Sequence, residues 1–198
     1  MQKGLTMVIG FDIDNVIADF DKVAMEKISK SGVKLVKTDT PSYAKRFDWT
    51  LEQKEEYFAK HVRNICQVLP IRKNVRFVLN NLIAGGHSVV LISFRNRDKG
   101  FGDLTNLTIK WLEKHKVPYT TLVISTSINK TDECKKYNVD VFLDDRVDAV
   151  LEMRKHGVNA VAMKTRYNGE EIKQTQNAQS WLDFYNKLKI GAYQIPLL

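Results

Sequence analysis

Two pairs of acidic residues are the part of this sequence best suited to chemistry. Asp12 and Asp14 directly follow one short apolar run, and Asp144 and Asp145 directly follow another. Carboxylates at the end of a buried strand are costly unless a cation pairs with them. If the two strands are parallel neighbours, all four carboxylates converge at one edge of the sheet, where their oxygens suit a hard cation such as Mg²⁺. The pairs therefore predict a magnesium-dependent catalytic site.

A hydroxyl and a lysine are expected at the same edge. Ser93 follows another apolar run, and Lys130 begins the helical pattern that precedes the second acidic pair. A carboxylate can attack phosphorus and form an aspartyl phosphate, and we assign this role to Asp12. Asp14 can protonate the leaving oxygen and later deprotonate water. With Mg²⁺ neutralising charge and with Ser93 and Lys130 holding phosphate oxygens, the set suits phosphoryl transfer.

The carboxylates differ in their expected roles at the metal. Asp12, Asp14 and Asp144 are the predicted ligands. Asp145 and Asp148 are either further ligands or groups that support them, because adjacent side chains on an extended segment diverge. Hard oxygen ligands with no neighbouring histidine or cysteine argue against zinc.

Taken one at a time, these residues have ordinary alternatives. An isolated Asp-x-Asp is usually a solvated loop or a helix cap, Ser93 alone is usually a turn residue, and Lys130 alone is usually solvated. Arg95 and Arg97 either grip a phosphate bidentately or lie on the surface. The prediction of phosphoryl transfer depends on the order of the four elements along the chain, which is acidic pair, hydroxyl, lysine and acidic pair.

Alternating strands and helices must bring these residues together. From Pro70 onward, apolar runs alternate with patterns of helical spacing. The predicted strands are 6–11, 87–92, 121–125, 139–143 and 158–163, and the predicted helices are 19–30, 50–66, 73–84, 103–115, 130–137, 147–156 and 178–189. This alternation predicts an α/β fold, a Rossmann-like parallel sheet with helices on both faces. Ligands bind such sheets beyond the carboxyl ends of the strands.

One segment interrupts the alternation. Residues 19–68 hold no convincing strand. Residues 33–48 are rich in turn-forming residues and predict a loop. Thr50 and Gln53 have the spacing of a capping box, which predicts the start of a helix at this point.

The composition is that of a globular protein. The chain has 198 residues, 43% of them hydrophobic, which is enough to bury a full core. No apolar run approaches the roughly 20 residues needed to span a bilayer, and Cys66 and Cys134 make no disulfide framework. We therefore expect a cytoplasmic protein without membrane contact. The net charge of +8 predicts attraction to phosphorylated small molecules or polyanions.

The order and content of these motifs resemble those of the haloacid dehalogenase-like phosphatases. Asp12-Ile13-Asp14 looks like that family's first motif, Ile92-Ser93 like its second, Lys130 like its third and Leu143-Asp144-Asp145 like its fourth. The resemblance implies that Asp12 is the nucleophile, that Asp14 is the acid/base and also binds Mg²⁺ through its carbonyl, and that Asp144 is the remaining protein ligand.

Several stretches look more narrowly like the 5'(3')-deoxyribonucleotidase branch and its bacterial and phage relatives. They are residues 11–20, 111–119, 130–134 and 139–145. Two residues depart from the usual pattern, since Asn15 stands where glycine is common and Val16 stands where many members have threonine. Asparagine tolerates a left-handed backbone, so we expect Asn15 to keep the local turn.

The resembled family inserts a cap after its first motif, which matches the strandless segment. We therefore expect a catalytic core of residues 1–18 and 69–198 and a small helical cap of residues 19–68 that chooses the substrate. Four aromatic side chains are concentrated in this cap: Phe47, Trp49, Tyr57 and Phe58. They either stack on a nucleobase, in which case Phe47 and Trp49 bind substrate, or they form the core of the cap.

The sequence thus predicts a Mg²⁺-dependent phosphomonoesterase that hydrolyses a small phosphorylated metabolite, with (deoxy)nucleoside monophosphates favoured. A phosphatase that processes nucleic-acid ends is an alternative suggested by the charge of +8. A phospho-accepting receiver domain is a further alternative, but no acidic residue follows Val123-Ile124, where a receiver carries its phospho-acceptor. The sequence predicts neither the oligomeric state nor the preferred base and sugar.

Overall fold

A parallel sheet forms the centre of the protein. The computed structural model describes residues 6–95 and 104–193, and six strands pair side by side within them. They are β1 (Val8–Phe11), β2 (Ser88–Phe94), β3 (Thr121–Ser125), β4 (Val141–Asp144), β5 (Ala160–Met163) and β6 (Asn177–Ala178). Their order is β3-β2-β1-β4-β5-β6, and every neighbouring pair is parallel. This Rossmann-like order, with its switch point between β1 and β4, confirms the predicted fold class.

Helices connect the strands. They are α1 (Phe20–Lys30), α2 (Tyr43–Phe47), α3 (Leu51–Gln67), α4 (Val75–Ala84), α5 (Thr105–Lys114), α6 (Thr131–Lys136), α7 (Val147–Lys155) and α8 (Trp181–Lys189), with a 3₁₀ turn at Glu171–Gln174. The predicted capping box is present at α3, because Thr50 Oγ1 accepts from the Gln53 N–H at 3.1 Å and Gln53 Oε1 accepts from the Thr50 N–H at 2.9 Å. No helix among the described residues is both long and apolar enough to cross a bilayer. The cytoplasmic location stays a prediction.

Two local predictions are wrong. The predicted loop 33–48 contains α2, which the Ser42 side chain caps by accepting a hydrogen bond from the Lys45 N–H at 3.4 Å. The last helix does not start at Ala178, which lies in β6, but at Trp181. β6 has two residues, too few for an alternating pattern to reveal.

Alternate residues of the central strands face opposite layers of helices. Ile9 and Phe11 of β1 belong to a buried cluster that includes side chains of α4, α5 and α8. Phe142 of β4 belongs to a second cluster with side chains of α7. Gly10 makes room for this ring, because a Cβ at position 10 would lie 2.5 Å from Cδ2 of Phe142. Helices therefore cover both faces of the sheet, as predicted.

The strands that precede the two acidic pairs are direct neighbours. Phe11 of β1 pairs with Leu143 of β4, and the Asp12 N–H donates to the Leu143 carbonyl at 2.9 Å. On its other side, Phe11 pairs with Leu91 of β2. The residues at the carboxyl ends of β1, β2 and β4 therefore meet at one edge of the sheet.

The segment of residues 19–68 is helical and contains α1, α2 and α3. The two ends of this segment lie side by side, because the Asp19 N–H donates to the Pro70 carbonyl at 2.9 Å and Ala18 forms a bridge with Ile71. Buried side chains of the segment, Phe58 among them, belong to the same hydrophobic cluster as Ile9. The helical segment therefore packs directly on one layer of the main core.

Candidate active site

Three buried carboxylates meet where β1 and β4 end. One carboxylate oxygen from each of Asp12, Asp144 and Asp145 lies within 4.8 Å of the other two. The pairing of β1 with β4 places Asp12 beside Asp144, and the chain bends at Asp145, so that the side chains of the two adjacent residues do not diverge. A ligand set made only of carboxylate oxygens suits a hard divalent cation better than zinc.

Lys130 supplies the nearest positive charge. Its Nζ lies 2.6 Å from Oδ2 of Asp144 and 3.1 Å from Oδ1 of Asp12, and all three side chains are buried. Burial acts to lower the pKa of Lys130, but Asp12 and Asp144 outweigh it and raise that pKa above its ordinary value. The ammonium therefore stays charged. One ammonium does not balance three carboxylates, so the cluster keeps an excess of negative charge.

Burial, together with this excess, raises the pKa of two carboxyl groups. Burial raises the pKa of Asp12 well above its ordinary value, Lys130 lowers it, and Asp144 and Asp145 raise it further. Burial, together with the charge of Asp144, raises the pKa of Asp145 to about 7. Both groups attract a proton more strongly than an exposed aspartate does, and a divalent cation competes for the same oxygens. The residues therefore fit a bound divalent cation.

Asp145 is held in place by hydrogen bonds from three side chains. The Tyr167 hydroxyl donates to Oδ2 of Asp145, Asn15 Nδ2 donates to the same oxygen at 3.3 Å, and Asn168 Nδ2 donates to the Asp145 carbonyl at 2.9 Å. Asn15 has a φ of 62°, the left-handed conformation expected for it. Sequence reasoning missed Tyr167 and Asn168, which follow β5 in a polar loop without a recognisable motif.

Asp14 lies apart from the three clustered carboxylates because it pairs with Arg95. Nη2 of Arg95 donates to Oδ1 of Asp14 at 2.7 Å, and Nε donates to Oδ2 at 3.3 Å. The guanidinium thus engages the carboxylate at two points, and Arg95 also lines the cleft that contains Asp12 and Ser93. The phosphate-gripping role that we considered for it stays a prediction. A metal contact from Asp14 would use its carbonyl oxygen, as the resemblance implies.

Ser93 presents a buried hydroxyl to the site. The residue is 1% exposed, and its Oγ has no hydrogen-bond partner among the described residues. A buried hydroxyl without a partner costs free energy, and a ligand oxygen would relieve that cost. Ser93 and Asp12 line the same cleft. The hydroxyl therefore lies at the cleft, and its contact with a bound phosphate stays a prediction.

The cleft of about 650 Å³ lies over the carboxylates and is partly lined by the helical segment. The helical segment contributes three aromatic rings to its wall, those of Phe20, Tyr43 and Phe58, with ring centroids 4.9 Å apart for Tyr43 and Phe58 and 6.2 Å apart for Phe20 and Phe58. Arg146 and Asp148 form an ion pair with each other and also line the cleft. Asp148 is therefore not a member of the carboxylate cluster. Arg97 lies outside the described residues.

The structure places Phe47 and Trp49 away from the lining of this cleft. Phe47 is buried, and its ring lies 5.1 Å from that of Trp49, which in turn lies 5.1 Å from that of Tyr57. This row of rings favours packing over base stacking for Phe47 and Trp49. Because the prediction of a loop missed α2, it did not anticipate that this helix turns Phe47 inward and Tyr43 toward the cleft.

A buried arginine connects the helical segment to the residues that hold Asp145. Arg46 forms an ion pair with Asp21, and its Nε donates to the Thr40 carbonyl at 2.6 Å. The guanidinium carbon also lies 4.6 Å from the centre of the Tyr167 ring. Sequence reasoning missed this arginine because a lone basic residue in a predicted loop reads as solvated. The contact makes α2 part of the wall behind the carboxylate cluster.

Known proteins resemble this chain in sequence and in fold. Over 136 residues the chain is 29% identical to a nucleotidase from Clostridium acetobutylicum, an alignment that covers 69% of this chain and 65% of the length of that relative. The fold is similar to that of a haloacid dehalogenase-like family hydrolase from Streptococcus pneumoniae, with a TM-score of 0.67, 12% identity and coverage of 95% and 100% of the two chains. It is also similar to that of a haloacid dehalogenase family hydrolase from Deinococcus radiodurans with bound phosphate and sodium, with a TM-score of 0.65, 11% identity and coverage of 97% and 99%.

The family assignment covers nearly the whole chain. The sequence model of the family described as 5' nucleotidase, deoxy (pyrimidine), cytosolic type C protein (NT5C) matches residues 6–194. That range includes the carboxylate cluster, Ser93 and Lys130. The chain therefore belongs to this NT5C family.

Proposed function

We propose that the protein is a Mg²⁺-dependent phosphomonoesterase that hydrolyses (deoxy)nucleoside monophosphates through an aspartyl-phosphate intermediate. The observation that carries the proposal is the meeting of Asp12, Asp144 and Asp145 with Lys130. This cluster adjoins a cleft that Ser93 also lines with a hydroxyl that has no partner among the described residues. The family and the relative from C. acetobutylicum support a nucleotide as substrate. The phosphate bound by the D. radiodurans hydrolase supports a phosphate subsite on this fold.

The metal would be held by the clustered carboxylates. Asp12, Asp144 and Asp145 offer oxygens within 4.8 Å of one another, and the carbonyl of Asp14 is a further candidate ligand. A bound Mg²⁺ would offset the repulsion between the attacking carboxylate and the phosphate. Lys130 already contacts two of these carboxylates, so it is placed to hold a phosphate oxygen next to them.

The side chains account for two successive displacements. In the first, an oxygen of Asp12 bonds to phosphorus while the bond from phosphorus to the ester oxygen breaks, and Asp14 gives that oxygen a proton. In the second, water attacks phosphorus, Asp14 takes a proton from the water, and the bond to Asp12 breaks, which releases phosphate. Lys130 and Ser93 hold the phosphate oxygens in both steps.

Residues 19–68 would act as the cap that chooses the substrate. Phe20, Tyr43 and Phe58 bring three aromatic rings into the cleft that also contains Asp12. Aromatic faces stack on nucleobases, and each stack contributes about 1 to 3 kcal/mol. This wall therefore supports a nucleoside, rather than a small sugar or acid, as the group that carries the phosphate.

Phosphate release from a panel of nucleoside 5'- and 3'-monophosphates with Mg²⁺ tests the proposal. We expect turnover of at least one (deoxy)nucleoside monophosphate, and we expect Asp12→Asn to abolish it while the fold remains intact. Adding a phosphorylated oligonucleotide to the panel distinguishes a phosphatase of small metabolites from one that acts on nucleic-acid ends. Wild-type protein that releases no phosphate from any compound would refute the function, and an Asp12→Asn protein with full activity would refute the covalent intermediate.

A further inference from the structure

We propose that Arg95 is a positioning residue that acts on the reaction only through Asp14. The inference rests on the proposed function, in which Asp14 exchanges protons with the leaving oxygen and with water. Arg95 contacts both oxygens of the Asp14 carboxylate, at 2.7 Å and 3.3 Å. A two-point contact with a planar guanidinium restricts the rotation of a carboxylate that a single contact leaves free.

The guanidinium is itself held from behind. Its Nη1 donates to Oγ1 of Thr108 at 2.7 Å, and the Thr108 hydroxyl donates to the Leu104 carbonyl at 2.7 Å. Thr108 is fully buried within α5, and Arg95 is 2% exposed. Each of the three guanidinium nitrogens therefore has a protein partner, and these contacts engage three of its five N–H groups.

The two members of the ion pair differ in their access to solvent. The Arg95 side chain is 2% exposed, whereas that of Asp14 is 27% exposed. Arg95 is the partner of the Asp14 carboxylate within the described ranges 6–95 and 104–193. A buried cation thus fixes a partly exposed carboxylate at the cleft, which is the arrangement expected when the exposed group does the chemistry and the buried group sets its direction.

A double-mutant cycle distinguishes action through Asp14 from direct contact with phosphate. The variants are Arg95→Met, Asp14→Asn and the two combined, all assayed by kcat/KM on the same nucleoside monophosphate at an enzyme concentration that keeps the residual activity measurable. We expect Arg95→Met alone to lower kcat/KM for a nucleoside monophosphate roughly 100-fold, the scale of a misplaced catalytic group. In the Asp14→Asn background the same change should have almost no further effect, because the group that it positions is already gone.

A milder pair of variants covers the case in which Arg95→Met does not fold. Thr108→Val removes the hydroxyl that holds Nη1 at nearly constant volume, and Thr108→Ser keeps that hydroxyl as the matched control. We expect Thr108→Val to lower kcat/KM about tenfold, the scale of a lost hydrogen bond to a charged group. Thr108→Ser should retain most of the activity. The losses should again disappear in the Asp14→Asn background.

The outcomes separate the alternatives. Losses that multiply in the double variant, with weaker inhibition by inorganic phosphate, would show that Arg95 binds phosphate and would overturn the proposal. Equal losses for Thr108→Val and Thr108→Ser, accompanied by a lower Tm, would overturn it in favour of a purely structural role. A wild-type protein that is inactive on every phosphomonoester would instead refute the proposed function, so the two failures are distinguishable.

Discussion

The carboxylates of the cluster are not equivalent, because each has different hydrogen-bond partners. Asp144 accepts from Lys130 with one oxygen and from the Arg146 N–H at 2.9 Å with the other. Asp145 accepts from Tyr167 and from Asn15 with a single oxygen, Oδ2. Asp145 therefore keeps its other oxygen for a ligand, whereas a ligand of Asp144 would have to share an oxygen with Lys130 or with the Arg146 N–H.

We expect Asp144→Ala to raise the Mg²⁺ concentration for half-maximal activity more than Asp145→Ala does. Asp144 lies directly beside Asp12, the proposed nucleophile, through the pairing of β4 with β1. If Asp145 supports the ligands rather than binding the metal itself, its loss costs about 10- to 100-fold in metal affinity, and loss of Asp144 as a ligand should exceed that. Titration of phosphate release with Mg²⁺ measures both values. Equal shifts in the two variants would mean that both carboxylates are ligands.

Stabilisation by Mg²⁺ should increase with pH. The folded protein holds the Asp145 proton up to a pKa of about 7, whereas the unfolded chain releases it near its ordinary value. The folded state thus binds more protons over this interval, so the free energy of unfolding of the metal-free protein falls as pH rises from about 4 to about 7. A bound cation replaces that proton. The Tm increase caused by Mg²⁺ should therefore be larger at about pH 8 than at about pH 5.5.

Thermal melts with Mg²⁺ or with EDTA at the two pH values measure this difference. Ca²⁺ serves as a matched cation, since it also binds carboxylate oxygens. An Asp145→Asn variant should lose part of the pH dependence, because it removes one of the two carboxyl groups of the cluster whose pKa is raised. A Tm increase that is the same at both pH values in the wild-type protein would contradict the prediction.

At the scale of elements, the helical segment of residues 19–68 contains two sets of aromatic residues. One set lines the cleft, and the other packs against neighbouring side chains. We expect Phe20→Ala to raise KM for a nucleoside monophosphate and to leave hydrolysis of a small aryl phosphate nearly unchanged, because Phe20 lines the cleft but is not among the residues proposed to bind the phosphate. Trp49→Ala is the matched control. Its ring packs between Phe47 and Tyr57, so the expected effect is a free energy of unfolding lower by about 2 kcal/mol.

Kinetics on the two substrates, together with denaturant unfolding, measure these effects. A selective increase of KM in Trp49→Ala, with unchanged stability, would show that the packing interpretation is wrong and that this ring reaches the nucleobase. Equal losses of activity on both substrates in Phe20→Ala would show that the aromatic wall does not select the nucleoside.

β1 depends on a glycine for its fit in the sheet. A Cβ at Gly10 would lie 2.5 Å from Cδ2 of the Phe142 ring, so Gly10→Ala should lower the free energy of unfolding by about 1 to 3 kcal/mol. Chemical denaturation measures the change. Adding Phe142→Leu to Gly10→Ala should recover part of the loss, because the smaller side chain vacates the contact. No recovery would show that the ring is not the cause.

The sequence predicted most elements and the cluster of site residues because both depend on local patterns. Apolar runs marked five of the six strands, and their parallel pairing then brought Asp12, Asp144 and Lys130 together. The contacts that tune the site were not predictable, because they join residues distant in sequence. Arg95 reaches Asp14 across 81 positions, and Tyr167 reaches Asp145 from a loop that no pattern marks.

At the scale of the whole molecule, the net charge of +8 should influence how fast substrate arrives. A positive protein attracts a phosphomonoester dianion, and salt screens this attraction with a Debye length of about 10 Å at 0.1 M ionic strength. We expect kcat/KM for a nucleoside monophosphate to fall severalfold as ionic strength rises, with kcat nearly constant. A salt series in KCl measures both. A salt-dependent kcat with constant KM would contradict the prediction.

The central position of β1 also affects how the chain folds during synthesis. β1 is the earliest of the described strands, yet its two neighbours in the sheet begin at residues 88 and 141. A ribosome therefore releases this apolar strand long before either partner exists, and the first contact must close a loop of about 80 residues. Until β4 emerges, a nascent chain exposes one edge of the strand that precedes Asp12. During that interval the unpaired apolar edge should make the nascent chain prone to aggregation.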